Sequence, residues 1–221
     1  ADAYPSTAAD REPDHLIRRR IEERFPGHAI LGEEFGETST DGASHRWLID
    51  PIDGTKSFVH GVPLYAVFIG LEIEGRIQVG AAYSPALDEM IAAASGSGCW
   101  WNGRRAHVSS CTNLDEAVMS FTDINEVDAS GKREAFDRIR RRVYFRAGWG
   151  DAYGHLLTAT GRVEVMLDPV MSPWDCGPFP VILREAGGFF GDWSGKETVY
   201  ASEALSTSSA LLSDVLEVMK G

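Results

Sequence analysis

The run Trp47-Leu-Ile-Asp-Pro-Ile-Asp-Gly-Thr-Lys56 carries a short apolar stretch into two aspartates three positions apart, followed at once by Gly54-Thr55. Paired carboxylates suit Mg²⁺, a hard cation whose ligands are a few carboxylates, waters and phosphate oxygens. A glycine lets backbone come close to a ligand, and if Gly54-Thr55 opens a helix, its free N–H groups and dipole would cradle a phosphate. Aspartate, proline and glycine are also ordinary turn residues, so this run alone leaves a plain pair of turns open. Glu33, in Gly32-Glu33-Glu34, follows a second apolar stretch, Ala29-Ile-Leu31, from which it could reach a metal shared with Asp50; a pair of exposed loop glutamates is the alternative. Asp175, in Ser172-Pro-Trp-Asp-Cys176, stands where Pro173 can begin a helix, so it reads as a ligand or as a helix cap.

Together, Gly-Glu-Glu, Asp-Pro-Ile-Asp-Gly-Thr and the late Trp-Asp resemble the inositol monophosphatase-like family, from Thr7-Ala-Ala-Asp-Arg11 to Ala186-Gly-Gly188. The resemblance implies a layered αβαβα sandwich of α+β or α/β type, with the metal site between two halves, and a phosphomonoesterase that uses two or three Mg²⁺ ions. Glu33, Asp50 and the carbonyl of Ile52 would hold one ion, Asp50, Asp53 and Asp175 a second, and a weaker third would sit near Glu33. Gly54 and Thr55 would bind phosphate. Asp10 and Thr55 look like the pair that activates the attacking water, with Glu33 beside them, and no covalent enzyme intermediate is expected. Physical reasoning agrees on the metal: a pocket of four carboxylates repels a phosphate dianion by about 4 kcal/mol per charge pair at ~4 Å and an effective dielectric near 20. Cations must reverse that sign.

In the second half, Trp149-Gly-Asp-Ala-Tyr-Gly154, the stretch from Ala159 to Pro169 and Gly187-Gly-Phe-Phe-Gly-Asp-Trp-Ser-Gly195 look like the histidinol-phosphate phosphatase branch. Histidinol phosphate carries an ammonium and an imidazole, and Asp151 and Asp168 stand where the family contacts the leaving alcohol. Each charge-assisted bond there is worth roughly 1.5–3 kcal/mol. A helix cap at Asp151 and a turn at Asp168-Pro169 are the alternatives. Phe58 to Gly70 would suit an inositol monophosphatase equally, and His60 and Tyr65 receive no role. A non-catalytic scaffold member of the family is a further reading, against which stands the presence of Asp10, Glu33, Asp50, Asp53, Thr55 and Asp175 together.

These residues need elements to position them. The spacing predicts an amphipathic helix over Asp14 to Phe25, strands ending at Leu31 and Ile49, and an antiparallel meander from Leu64 to Ala94, with Gly96 to Trp101 irregular and a tight turn at Asn102-Gly103. Beyond a polar stretch, Asp123 to Lys132, it predicts helices over 134–142, 151–160, 174–186 and 210–220 and strands over 143–145, 163–167 and 188–191. Two halves follow, 1–120 and 121–221, the first carrying most metal ligands. A formal charge of −12 from 33 acidic and 21 basic residues argues against a nucleic-acid partner. Three widely spaced cysteines fit neither a disulfide framework nor a zinc site. The chain shows no membrane-spanning run and no signal peptide, so a cytoplasmic enzyme acting on a small phosphorylated metabolite is expected, and the family resemblance implies a homodimer. Family members usually carry further helices ahead of the Thr7 run, so either this chain is short or an N-terminal portion or lid loop is missing.

Overall fold

Strict alternation of buried and half-buried positions from Ala66 to Ile73 marks a strand with one face on a core. In the computed structural model, which describes residues 8–38 and 42–221 and the side chains of all of these except residues 8–10 and 152, that strand is β4 of an eight-stranded sheet. Its members are β1 (Ala29–Gly32), β2 (Gly36–Thr38), β3 (His45–Asp53), β4 (Ala66–Ile73), β5 (Arg76–Ser84), β6 (Glu89–Ala94), β7 (Gly98–Trp101) and β8 (Arg104–Arg105), in the order β2-β1-β3-β4-β5-β6-β7-β8. Only β1 and β3 pair in parallel, and the rest is antiparallel. The second sheet, β9 (Val118–Phe121), β10 (Phe145–Ala147), β11 (Val165–Asp168), β12 (Gly188–Gly191) and β13 (Ala204–Ser208), runs β10-β9-β11-β13-β12.

The helices are α1 (Ala8–Arg24), α2 (Thr55–Val59), α3 (Ile124–Ala129), α4 (Arg133–Arg142), α5 (Asp151–Ala159), α6 (Pro173–Cys176), α7 (Phe179–Ala186) and α8 (Leu212–Lys220). α1 covers the outer face of β1 and β3 through Ile17 and Ile21 on Ile30 and Ile49. α5 and α7 lie between the sheets, where Phe68, Leu156, Phe179, Ile182 and Phe190 form the largest core. α4 and α8 close the far side of the second sheet over Met119, Val165 and Leu205. The layers therefore run αβαβα, as the resemblance implied. Each fully buried Phe or Leu in these cores contributes roughly 1.5–3 kcal/mol.

Several elements differ from the sequence reading. α1 begins at Ala8, with Pro13 inside it, and ends at Arg24; Leu16 within it and Phe25 just past it are exposed. The expected helix over 174–186 is two helices, because Pro178 has no N–H to donate and its ring crowds the preceding turn. Gly98–Trp101, read as irregular, is β7, and it enters the tight turn at Asn102-Gly103, where both residues have positive φ. The strand expected at 143–145 lies two residues later. α3 fills the stretch read as merely polar, capped by the Asp123 side chain, which accepts from Asn125 N–H at 2.9 Å. β2, β9 and β13 were not foreseen.

His155 is fully buried on α5 between the rings of Phe179 and Phe190, with Nδ1 2.6 Å from Ser206 Oγ and no partner for Nε2. Burial pulls its pKa from the ordinary 6.5 down to about 3. Below pH 6.5 the unfolded chain takes up a proton that the native one refuses, so this contribution to stability is lost as pH falls toward 3, by up to about 1.4 kcal/mol per pH unit. The urea-unfolding free energy of wild type relative to His155→Gln is expected to shrink by roughly 1 kcal/mol per unit between pH 6 and 4. A difference that stays flat with pH would contradict the buried neutral imidazole.

Candidate active site

Two aspartates three apart on a regular strand point to opposite faces. β3 resolves this with a bulge: Asp50 pairs with Phe68 but Asp53 with Ala66, so three steps on β3 match two on β4. The extra residue flips the phase and brings both carboxylates to one side. Ile52 N–H donates to Asp50 Oδ1 at 3.0 Å and fixes the first of them. Gly54 follows at φ 83°, and a Cβ there would stand 2.8 Å from the Leu64 carbonyl, so only glycine suits the position. It opens α2, whose five residues give little dipole but leave the first-turn N–H groups without helical acceptors. The Thr55 hydroxyl donates to Ile52 O at 3.2 Å.

Asp175 arrives from the other side of the core, on α6. Ser172 N–H donates to its Oδ2 at 2.8 Å, so the helix-cap reading holds, while the carboxylate also faces Asp50. Asp50, Asp53 and Asp175 each present an oxygen, all within 4.8 Å of one another. Asp53 Oδ2 is shut off from solvent with no hydrogen-bond partner. Such a set costs free energy unless a cation or protons occupy it. Burial, then Asp175 and Glu33, push the Asp50 pKa well up. Burial, then Asp151 and Asp50, do the same to Asp53, and burial raises Asp175 to about 6.

These residues line a cavity of about 250 Å³ together with Glu33, Ile52, Gly54, Thr55, Asp151 and Asp168. Nine of the ten residues predicted for the site thus share one pocket. The tenth, Asp10, has its backbone in α1, but its side chain lies outside the described residues. Asp168 accepts from Thr122 Oγ1 at 2.6 Å and from Val170 N–H at 3.3 Å, so it also makes the turn expected as an alternative. Burial, Asp151 and Glu126 raise its pKa to about 8 against the Thr122 bond. Asp151 has φ 38°, and its N–H donates to Thr122 Oγ1 at 3.0 Å.

Sequence reasoning missed Thr122, Lys56, Glu126 and Trp174 in the lining. Thr122 sits just past β9, itself unrecognised. The Asp123-x-x-Glu126 spacing of a helix start was the signal available for α3. A second cavity, about 280 Å³, shares Lys56, Thr122 and Asp151 with the first and adds His60, Asp123 and Trp149. His60, given no role from sequence, therefore borders the site; its ring lies 6.4 Å from that of Trp149.

Residues 2–218 match the model of the inositol monophosphatase family. The chain belongs to the inositol monophosphatase family. It is 43% identical over 204 residues to a histidinol-phosphatase of Chlorobaculum parvum, covering 92% of this chain and 78% of that protein. A histidinol-phosphatase of Mycobacterium tuberculosis is 36% identical, with 97% and 84% covered. An inositol monophosphatase from Zymomonas mobilis superposes with a TM-score of 0.90 at 27% identity, over 100% of this chain and 86% of its own. As a family member the chain is a phosphoric monoester hydrolase, and its acidic cluster is of a kind that could bind a metal ion. No helix among the described residues is long and apolar enough to cross a membrane.

Proposed function

We propose that this phosphatase uses Mg²⁺ to hydrolyse L-histidinol phosphate to L-histidinol, a step of histidine biosynthesis. The observation that carries the substrate assignment is the second cavity, which opens off the acidic pocket through Lys56, Thr122 and Asp151 and presents an indole, an imidazole and two carboxylates. An ester with an ammonium and an aromatic imidazole matches both: Asp151 takes the ammonium, and Trp149, half-exposed, offers a face for the ring. Asp168 supports the wall through Thr122, which also fixes the Asp151 backbone.

The donor set fits Mg²⁺. All candidate ligands are oxygens, and Asp53 Oδ2, buried and unpartnered, is the kind of group a hard cation satisfies. Glu33, Asp50 and the Ile52 carbonyl would hold one ion, Asp50, Asp53 and Asp175 a second, and a third would sit near Glu33. Bound there, Mg²⁺ supplies positive charge for the phosphoryl oxygens and Lewis-acid activation of water. The chain itself orients the ester. First-turn N–H groups after Gly54 donate to phosphate oxygens. The Thr55 hydroxyl donates to Ile52 O as the structure stands; in turnover it would turn to hand that proton to Asp10 as it takes one from the attacking water. A cytoplasmic homodimer accompanies this reading.

Phosphate release from L-histidinol phosphate and from myo-inositol 1-phosphate, each with Mg²⁺ and with excess chelator, tests it. Expected is turnover that vanishes with chelator and favours histidinol phosphate by roughly tenfold or more, the equivalent of one charge-assisted bond. A preference for inositol phosphate would keep the metal site and discard the roles of Asp151 and Trp149. Turnover of neither ester would return the scaffold reading.

A further inference from the structure

Among the described residues lining the acidic pocket there is one cation, Lys56, against seven carboxylates. Its ammonium donates to Glu126 Oε1 at 2.6 Å, which ties α2 beside the first sheet to α3 beside the second across the pocket mouth. The pair lies at the rim: the two side chains are 36% and 26% exposed, while Asp50 is buried at the pocket floor. Lys56 is the second residue of α2, one position after Thr55, and it lines the adjoining cavity as well. Glu126 is close enough to Asp168 to help raise its pKa, so its charge belongs to the wall that also carries Asp151.

We infer that Lys56 and Glu126 form a specificity-determining pair that exchanges partners when substrate binds, an inference that rests on the phosphatase reading above. A partly exposed ion pair is weak, because water screens it and two long side chains must be held still. A phosphate dianion offers the ammonium twice the charge of Glu126 and several acceptor oxygens, and the flexible lysine stem can swing to it. Lys56 then binds phosphate, and Glu126 faces the alcohol portion of the ester with its charge uncompensated. A neutral polyol leaves that carboxylate unpaired in an already negative wall. An alcohol bearing an ammonium replaces the cation just lost. The pair therefore selects zwitterionic phosphate monoesters: both charges of the ester substitute for the two charges of the resting bridge. Glu126 also competes with phosphate for Lys56, so it weakens retention of the released phosphate.

The two partners of a purely structural latch would fail in the same direction when either is removed, whereas exchange predicts opposite directions. Calorimetric titration of the full chain with inorganic phosphate in saturating Mg²⁺ reads this without turnover. Lys56→Gln is expected to weaken phosphate binding by about tenfold. Glu126→Gln is expected to tighten it severalfold, and to lower the ratio of kcat/KM for L-histidinol phosphate over myo-inositol 1-phosphate. Phosphate affinity that moves the same way in both variants, or in neither, overturns the exchange while leaving the phosphatase intact. Wild type that neither binds phosphate with Mg²⁺ nor hydrolyses either ester removes the underlying reading and the exchange with it, and is distinguished because it appears without any substitution.

Discussion

Asp53→Asn is expected to lower kcat/KM by about a thousandfold or more while leaving the metal-free protein at least as stable as wild type. The two effects have one origin. Asp53 is held within reach of Asp50 and Asp175, with Oδ2 buried and unpartnered, so in the metal-free protein its charge is a burden. Its pKa is raised, first by burial and then by Asp151 and Asp50. For an acid with a raised folded pKa, the unfolded chain releases its proton first as pH rises. Stability is therefore lost from the ordinary carboxylate range upward, toward the raised value. An amide of the same shape removes that loss. With Mg²⁺ the balance reverses: one carboxylate charge about 4 Å from each unit of cation charge is worth about 4 kcal/mol at an effective dielectric near 20. Expressed as transition-state stabilisation, that is about three orders of magnitude in rate. Thermal unfolding with and without Mg²⁺ separates the terms. The variant should match or exceed wild type in chelator at pH 8 and should lose most of the Mg²⁺-induced rise in Tm. Full activity in Asp53→Asn would remove Asp53 from the site.

Much of this site was legible because its residues lie at the ends of short apolar runs, and apolar runs are what sequence shows best. The run read as ending at Leu31 is β1, which leads to Glu33, and the run read as ending at Ile49 is β3, which continues through Asp50 to Asp53. What sequence could not show was the bulge at Asp50/Asp53, since the pairing that defines it is non-local. Without it, the two aspartates would have faced opposite sides of the sheet. The second sheet was read less well for a related reason. β13 is buried at every position, yet its sequence is Ala-Leu-Ser-Thr-Ser, which has the composition of a loop. Two of its three hydroxyls find partners elsewhere: Ser206 Oγ meets His155 Nδ1, and Ser208 Oγ accepts from Leu211 N–H at 3.2 Å, while Thr207 Oγ1 is buried without one. Lys56 and Glu126 were invisible as a pair for the same reason, being 70 positions apart.

Gly70→Ala should cost about 3 kcal/mol or more of stability and, in whatever remains folded, weaken Mg²⁺ binding. One row across the first sheet, paired strand by strand, reads Leu48, Gly70, Gly80, Ala93, Cys99. The α6–α7 junction lies on the two glycines: a Cβ on Gly70 would be 2.3 Å from Gly177 O, and one on Gly80 equally close to Pro178 O. Both obstacles are backbone atoms, which cannot rotate away, so this exceeds the ordinary overpacking penalty of 1–3 kcal/mol. Relief requires α6 to lift from the sheet. Asp175 is on α6, three residues from its N-cap Ser172, so lifting α6 withdraws one carboxylate from the trio shared with Asp50 and Asp53. Urea unfolding gives the stability loss, and a Mg²⁺ titration followed by intrinsic tryptophan fluorescence gives the metal affinity. Gly70→Ala with wild-type stability and an unchanged Mg²⁺ titration would mean that the glycine pair does not set the height of α6. The kink at Pro178 and the two glycines beneath it are then one device: proline breaks the helix, the glycines let the break settle against the sheet, and Asp175 is thereby delivered to aspartates more than 120 residues earlier in the chain.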